Sequence, residues 1–287
     1  MLIIGAALIA SGSGPRARAD RLPAERAATS ERPGTAPGGS GSLSCGAVNR
    51  GALAAGRAMP DRGPGYATPG PWRERGLRYG TDELVGMVER AAAEVARRHP
   101  GGTLAIADLS AEGGGAVARH RSHQSGRDVD LIYYAIDRAG EPLPNDGHMP
   151  VYARSGRATH AESPEWAPRI PERFFDLPRN WALVEALLTD PEAEVQRIFV
   201  ARSVRDWLIA YATAAGRPPQ VIERARAVLV YPRDVKGHSD HMHVRIACSA
   251  EDVEAGRCSD DPAPRRRRGK WRSRVRCGAE SDRVADR

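Results

Sequence analysis

The sequence has no long apolar run, few aromatic residues and no internal repeat. No stretch of its 287 residues approaches the roughly 20 apolar residues of a transmembrane helix, so a membrane span is not expected. Aromatic residues make up only 5% of the chain and hydrophobic residues 41%, which predicts a modest, aliphatic core. The absence of a repeat argues against a solenoid or a propeller. The length suffices for one substantial domain or two small ones.

Most of the chain is not basic, although its formal net charge is +7. Residues 264–277 read "PRRRRGKWRSRVRC" and contain seven arginines, Lys270 and no acid. Taking these eight charges from the total of +7 leaves a net charge of −1 for the rest. No specific nucleic-acid partner is therefore expected. The Arg265–Arg276 stretch is either a solvated tail or a site that attracts anionic wall polymers or a membrane surface.

The N-terminus resembles a secretory signal, although the usual positively charged n-region is missing. Leu2–Ala10 is apolar, and Ala17-Arg18-Ala19 fits a small-x-small cleavage site. This pattern predicts export to the periplasm, and the alternative is a merely apolar, unstructured end. The predicted organisation is a signal-like segment at 1–19, a flexible linker rich in Ala, Gly, Ser, Pro and Arg at 20–44, a folded domain at 45–277 and a tail at 278–287.

The cysteines do not have the spacing of a zinc ribbon, because no two are separated by two to four residues. An even number of cysteines in an exported chain predicts two disulfides. Cys248 and Cys258 would close a short loop, and Cys45 and Cys277 would then join the two ends of the folded domain. Three pairings are possible, and the sequence does not choose between them.

Hydrophobic periodicity predicts helices and strands without strict alternation. The clearest helix covers 82–99, with Thr81 as its cap and Pro100-Gly101 as its stop. The other predicted elements are strands at 103–108, 129–134, 197–200 and 241–247 and helices at 180–190, 203–215 and about 219–228. Residues 135–178 show no clear period and are interpreted as a wall or lid around a site. The predicted fold class is α+β, a single domain with a central antiparallel sheet surrounded by helices and long loops.

Five of the eight histidines lie in two short segments, "HRSHQSGRDVD" (120–130) and "GHSDHMHVRI" (237–246). On a strand, His241 and His243 point to the same side, about 7 Å apart, while Asp240 and Met242 point away. A catalytic zinc takes three protein ligands and keeps one position for water, so a second segment must contribute. His123 and Asp130 could meet this site across a tight turn.

Other interpretations of the histidines remain open at this point. They could cluster by chance, hold a purely structural zinc ion or belong to a cysteine–histidine nucleophilic site, which paired cysteines disfavour. "HRSH" is not the H-E-x-x-H motif of other zinc peptidases, since it lacks the glutamate.

The two segments together resemble the penicillin-insensitive murein endopeptidases. These belong to a wider group of zinc peptidases, including lysostaphin-type enzymes and D-alanyl-D-alanine carboxypeptidases, that share H-x6-D followed far downstream by H-x-H. The matching residues are His123 to Asp130 and His241 to His243. His120 and His238 match the histidine that this family adds three residues before each motif.

The resemblance implies one zinc ion held by His123, Asp130 and His243. It implies that His241 lies beside the reacting water as general base or transition-state stabiliser, and that His120 and His238 line the site and could share proton transfer. The implied activity is hydrolysis of D-alanyl-meso-diaminopimelyl cross-links in peptidoglycan. The alternatives are an L,D-endopeptidase or a carboxypeptidase of the same architecture, or a cell-wall-binding module without activity.

Overall fold

The strongest helical pattern of the sequence forms the longest helix in the part of the chain that the structure describes. In the computed structural model it runs Asp82–Arg98, and the side chain of Thr81 caps it by accepting a hydrogen bond from Leu84 N at 3.3 Å. Its apolar residues Leu84, Val88, Ala92 and Val95 are buried along its length. The helix ends just before Pro100-Gly101, as the sequence predicts.

The structure describes most of the predicted domain. The described residues are 41–145, 147–159, 172–232, 237–264, Val275 and Cys277. The predicted signal-like segment, nearly all of the predicted linker, the arginines and Lys270 of the 265–276 stretch and the tail at 278–287 lie outside them.

Six helices and many short strands make up the described residues. The helices are α1 (Gly70–Arg73), α2 (Asp82–Arg98), α3 (Leu177–Leu188), α4 (Arg202–Ala214), α5 (Pro219–Val228) and α6 (Ala250–Glu254). The strands are β1 (Leu43–Ala47), β2 (Arg50–Ala54), β3 (Arg57–Ala58), β4 (Arg62–Gly63), β5 (Tyr66–Ala67), β6 (Tyr79–Gly80), β7 (Leu104–Ile106), β8 (Asp128–Ile132), β9 (Ala135–Ile136), β10 (Pro142–Leu143), β11 (Val151–Tyr152), β12 (Ala158–Thr159), β13 (Phe174–Phe175), β14 (Val195–Phe199), β15 (Leu229–Val230), β16 (His241–Ile246) and β17 (Cys258–Ser259).

The largest sheet has seven strands in the order β15-β14-β16-β8-β7-β5-β4. Its central strands β14, β16, β8 and β7 are antiparallel, whereas β15 and β5 pair in parallel with β14 and β7. The predicted α+β class with an antiparallel central sheet is confirmed. No helix among the described residues has both the length and the apolarity of a membrane span.

Alternation along β8 and β16 separates a core face from a polar face. Val129, Leu131, Met242 and Val244 belong to the main hydrophobic core, which also includes the buried sides of α2 to α5. The opposite face of β8 carries Asp128, Asp130 and Ile132, because side chains two apart share a face. The helices thus cover one side of the sheet and leave the other side for polar chemistry.

The stretch 135–178 is more regular than predicted. It contains β9 to β13, and its residue Tyr152 donates a backbone hydrogen bond to Ser239 O at 3.0 Å. Helix α3 begins at Leu177 instead of the predicted residue 180, because Asp176 caps it by accepting from Arg179 N. The wall predicted from this stretch therefore contacts the loop that carries His238.

Two disulfides, Cys45–Cys277 and Cys248–Cys258, realise the pairing in which one bridge closes a short loop and the other joins the domain ends. Buried Arg127 reinforces the same region with bonds to Ser44 Oγ, Ser259 O and Asp260 Oδ1. These contacts hold the chain immediately before β8.

Candidate metal centre

The register of two central strands places Asp130 and His243 side by side. In the antiparallel pair of β8 with β16, Asp130 is opposite His243 and Asp128 is opposite Arg245. Directly opposed residues in a sheet project from the same face. The carboxylate of Asp130 and the imidazole of His243 therefore meet although they are far apart in the sequence.

A tight turn before β8 brings His123 to the same point. His123 has φ of 62° and Gly126 has φ of 76°, so the loop reverses direction within a few residues. The backbone N–H of His123 donates to Asp128 Oδ2 at 3.0 Å, and its ring Nδ1 donates to Leu109 O at 3.0 Å. The imidazole is fully buried, with Nε2 directed at Asp130.

Three donor atoms form a nearly equilateral triangle. His243 Nδ1 lies 3.0 Å and His123 Nε2 3.3 Å from Asp130 Oδ1, and the two nitrogens are 3.2 Å apart. A tetrahedral zinc ion with bonds of about 2.0–2.1 Å holds its ligand atoms about 3.3–3.4 Å apart. The triangle is close to the size that such an ion requires.

The hydrogen bonds around the triangle leave a lone pair on each of its atoms. The Leu109 carbonyl can only accept, so His123 carries its proton on Nδ1 and has a lone pair on Nε2. His243 Nε2 lies 2.9 Å from the Asp128 carboxylate, which also only accepts, so neutral His243 has its lone pair on Nδ1. Asp130 Oδ1 is buried without a hydrogen-bond partner among the described residues. Three converging lone pairs repel one another unless a proton or a metal ion lies between them, so the triangle is a group that could hold a metal ion.

His120 is the weaker candidate for a ligand. His120, His123 and Asp130 present donor atoms within 4.8 Å of one another, so they too form a group that could hold a metal ion. However, His120 Nε2 is bound to Asp108 Oδ2 at 2.8 Å, and its Nδ1 is 3.8 Å from Asp130 Oδ2. The shorter distances therefore favour His243 as the third ligand.

Burial and neighbouring charges shift the pKa values of Asp130 and His243 in opposite directions. Burial favours neutral Asp130, but His123, His241 and His243 outweigh it and hold its pKa well below the ordinary value. Burial likewise lowers the pKa of His243, but Asp128 and Asp130 raise it to about 9. A metal ligand must be deprotonated, so a cation bound here competes with the proton on His243.

The remaining histidines surround the triangle. His241 Nε2 lies 3.6 Å from Asp130 Oδ1, and the His238 ring lies 5.0 Å from the His241 ring. Burial and the neighbouring rings of His241 and His243 lower the pKa of His238 to about 4, so it is neutral near pH 7. The structure thus brings all six predicted site residues together, while their individual roles stay predictions.

Three carboxylates that support the site were missed by sequence reasoning. Asp128 bonds His243, Asp108 bonds His120, and Asp240 Oδ1 lies 2.7 Å from His241 Nδ1. The prediction that Asp240 points away from the site was wrong, because Asp240 lies in the bend before β16, where strand alternation does not apply. Met242 does point into the core, as predicted. Only Asp128 had a usable signal, since it lies two residues from Asp130 on one strand.

Comparison with known proteins bears on the whole domain. Residues 44–273 match the model of a family described as penicillin-insensitive murein endopeptidase. The chain belongs to this family. A penicillin-insensitive murein endopeptidase from Klebsiella pneumoniae subsp. pneumoniae is 28% identical over 233 residues, covering 80% of this chain and 74% of that protein. One from Escherichia coli strain K12 is 28% identical over 206 residues, covering 70% of this chain and 62% of that protein.

Because the chain belongs to a peptidase family, the candidate metal centre is also its candidate active site. The resemblance noted from the two histidine segments is confirmed at the level of the family. Those segments, 120–130 and 237–246, lie within the matched region.

Asp128→Asn is expected to weaken metal binding without abolishing it. Asp128 accepts from His243 Nε2, from Arg245 Nε at 2.7 Å and from the backbone of His123, so it orients two of the proposed ligands. Loss of such an outer carboxylate typically costs about 10–100-fold in metal affinity. Competition with a chromophoric chelator measures the change.

A matched control for this variant is Asp252→Asn. Asp252 is another buried aspartate that bonds a backbone N–H and an arginine, in this case Ser44 N and Arg257 Nε. It should leave the metal affinity unchanged. Equal losses of affinity in both variants would indicate general destabilisation, and Asp128 would then have no specific role at the metal.

Proposed function

We propose that the protein is an exported, zinc-dependent D,D-endopeptidase that hydrolyses D-alanyl-meso-diaminopimelyl cross-links in peptidoglycan. The observation that carries this proposal is the triangle of lone-pair atoms from His123, Asp130 and His243. Family membership and the names of the relatives support a murein substrate.

The ligand set favours zinc and a catalytic use of it. Two imidazoles and one carboxylate suit zinc, and three protein ligands leave a fourth position open for water or substrate. When bound, zinc lowers the pKa of a water molecule to about 7 and polarises a carbonyl group. No serine or cysteine nucleophile is needed, and all four cysteines are in disulfides. Such a site is indifferent to β-lactams, which acylate a serine.

The chain's own residues handle protons and charge around the scissile bond. In this proposal His241 takes the proton of the attacking water. The position of its Nε2, 3.6 Å from Asp130 Oδ1 and outside the ligand triangle, supports that role. His120 and His238 line the site. The ring N–H of neutral His238 can stabilise the oxyanion that develops on the carbonyl, and His120, whose Nε2–H is bound to Asp108, can do so from Nδ1 when it is protonated.

Two disulfides support the proposal of export. Disulfides persist in oxidising compartments such as the periplasm and are rare in the cytosol. We therefore place the protein in the periplasm, where its proposed substrate is found.

Digestion of purified sacculi tests the proposed function. Zinc-loaded protein should convert cross-linked muropeptides to uncross-linked fragments, and mass analysis of the fragments should show cleavage between D-alanine and diaminopimelate. Protein treated with a chelator should be inactive until zinc is restored. Full activity of the zinc-free protein would overturn the proposal.

The same digestion separates the alternatives. An L,D-endopeptidase would leave a different amino acid at the new carboxyl end, and a carboxypeptidase would release free D-alanine without opening cross-links. A binding module would attach to sacculi and release no fragments. Each of these outcomes would replace the D,D-endopeptidase assignment.

A further inference from the structure

Two aspartates outside the ligand triangle each bind one of the non-ligand histidines. Asp108 Oδ2 lies 2.8 Å from His120 Nε2 and also accepts from Arg75 Nη1 at 2.8 Å. Asp240 Oδ1 lies 2.7 Å from His241 Nδ1. The two pairs differ in where they direct the free nitrogen of the imidazole.

The Asp240 contact fixes the tautomer of His241. A carboxylate only accepts, so the proton shared with Asp240 is on Nδ1 and neutral His241 has its lone pair on Nε2. Nε2 lies 3.6 Å from Asp130 Oδ1, the oxygen that belongs to the ligand triangle. The free Nδ1 of His120 approaches the other oxygen, Oδ2, at 3.8 Å. Of these two carboxylate-bound histidines, His241 therefore directs its lone pair at Oδ1, the oxygen of the ligand triangle, and His120 does not.

The loop that carries Asp240 is held from three sides. His238 O accepts from Ala201 N at 2.8 Å and from the Tyr133 hydroxyl at 2.9 Å, and Ser239 O accepts from Tyr152 N at 3.0 Å. Ala201 directly precedes α4, Tyr133 directly follows β8, and Tyr152 belongs to β11. The Asp240 carboxylate is thus presented by a braced backbone, as a group that must hold a ring at a fixed angle requires.

The remaining histidine has no comparable partner. His238 Nδ1 is buried without a hydrogen bond among the described residues. Its tautomer is therefore not set by a carboxylate. Its ring centre lies 5.0 Å from that of His241 in a tilted arrangement and 5.9 Å from that of His243 in an edge arrangement.

We propose that Asp240 is a positioning residue that fixes the orientation and tautomer of His241. This inference rests on the proposed function. As the water oxygen bonds to the scissile carbonyl carbon, its proton passes to His241 Nε2. When the C–N bond breaks, that proton passes to the leaving amine nitrogen, and Asp240 keeps its bond to Nδ1–H throughout. Asp240 touches neither substrate nor metal in this role.

Three substitutions at Asp240 test the kinetic part of the proposal. Asp240→Ala should lower kcat by about a hundredfold, which is the low end of the rate contribution of a general base, and should change KM by less than about threefold. Asp240→Asn should fall between Ala and the native residue, and Asp240→Glu should restore part of the rate. All three should bind one zinc per chain. Loss of zinc, or kcat within about twofold of the unmodified protein in Asp240→Ala, would overturn the proposal.

A double substitution tests whether Asp240 acts through His241. In a His241→Ala background, Asp240→Ala should cause no further loss of kcat, because coupled residues are non-additive. Equal losses in both backgrounds would show that Asp240 acts elsewhere. Asp206→Ala, at an exposed aspartate of α4, is the charge-matched control and should change neither background.

The tautomer itself is a readout that needs no turnover. In zinc-loaded protein with ¹⁵N-labelled histidine, the spectrum should show the proton of His241 on Nδ1, with His241→Ala used to assign the signal. In Asp240→Ala the signal should shift towards the Nε2–H form. An unchanged tautomer would overturn the positioning role, whereas failure to cleave sacculi with this signature intact would overturn only the proposed function.

Discussion

Asp130→Ala is expected to yield a folded protein that holds no zinc and releases no fragments from sacculi. Asp130 Oδ1 is the shared vertex of the ligand triangle, 3.0 Å from His243 Nδ1 and 3.3 Å from His123 Nε2. Its removal leaves two imidazoles and no anionic ligand. The rate of cross-link cleavage should fall by about a thousandfold or more, because the water then keeps its ordinary pKa. Metal analysis and sacculus digestion measure the two losses.

The control for this variant must remove an aspartate without touching the site. Asp206→Ala removes an exposed carboxylate from α4, with 62% of that side chain exposed, and should keep both zinc and activity. Thermal unfolding of both variants checks that the fold is intact. An Asp130→Ala protein that keeps one zinc per chain and cleaves sacculi would show that another group, such as His120 with His123, holds the metal.

Local patterns explain why the principal elements and the two halves of the site could be predicted. The apolar period of α2 and the alternation of β16 involve neighbours a few residues apart, so both can be recognised in the sequence alone. Alternation correctly placed His241 and His243 on one side, with Met242 in the core. His123 and Asp130 approach each other, as their spacing predicts, because a positive φ at Gly126 allows the turn between them.

Two of the supporting carboxylates, Asp108 and Asp240, could not be predicted because their contacts depend on how loops pack and bend. Asp108 lies just beyond β7, and its partner His120 lies in the long connection between β7 and β8. Its second partner, Arg75, lies just after α1. Asp240 bonds His241 only because the chain bends before β16. The short strands between residues 135 and 175 were missed for a different reason, since two residues are too few to show a period.

His241→Ala is expected to separate metal binding from turnover. The three proposed ligands remain, so the variant should bind one zinc per chain with nearly unchanged affinity. The loss of a general base typically costs about 10²–10⁴-fold in rate, so cleavage of sacculi should fall within that range. Metal content, chelator competition and the initial rate of fragment release give the comparison.

The competing assignment is that His241 is a fourth ligand. Its Nε2 is 3.6 Å from Asp130 Oδ1, farther than either imidazole of the triangle, and this places it beside the ligand set. A ligand role would make His241→Ala lose zinc together with activity, which would contradict the assignment of a base. His99→Ala, at the end of α2, removes an imidazole outside the site and should change neither quantity. Retained zinc with lost turnover in His241→Ala alone would show that this histidine is needed for turnover and not for metal binding, because removal of a fourth ligand would weaken zinc binding.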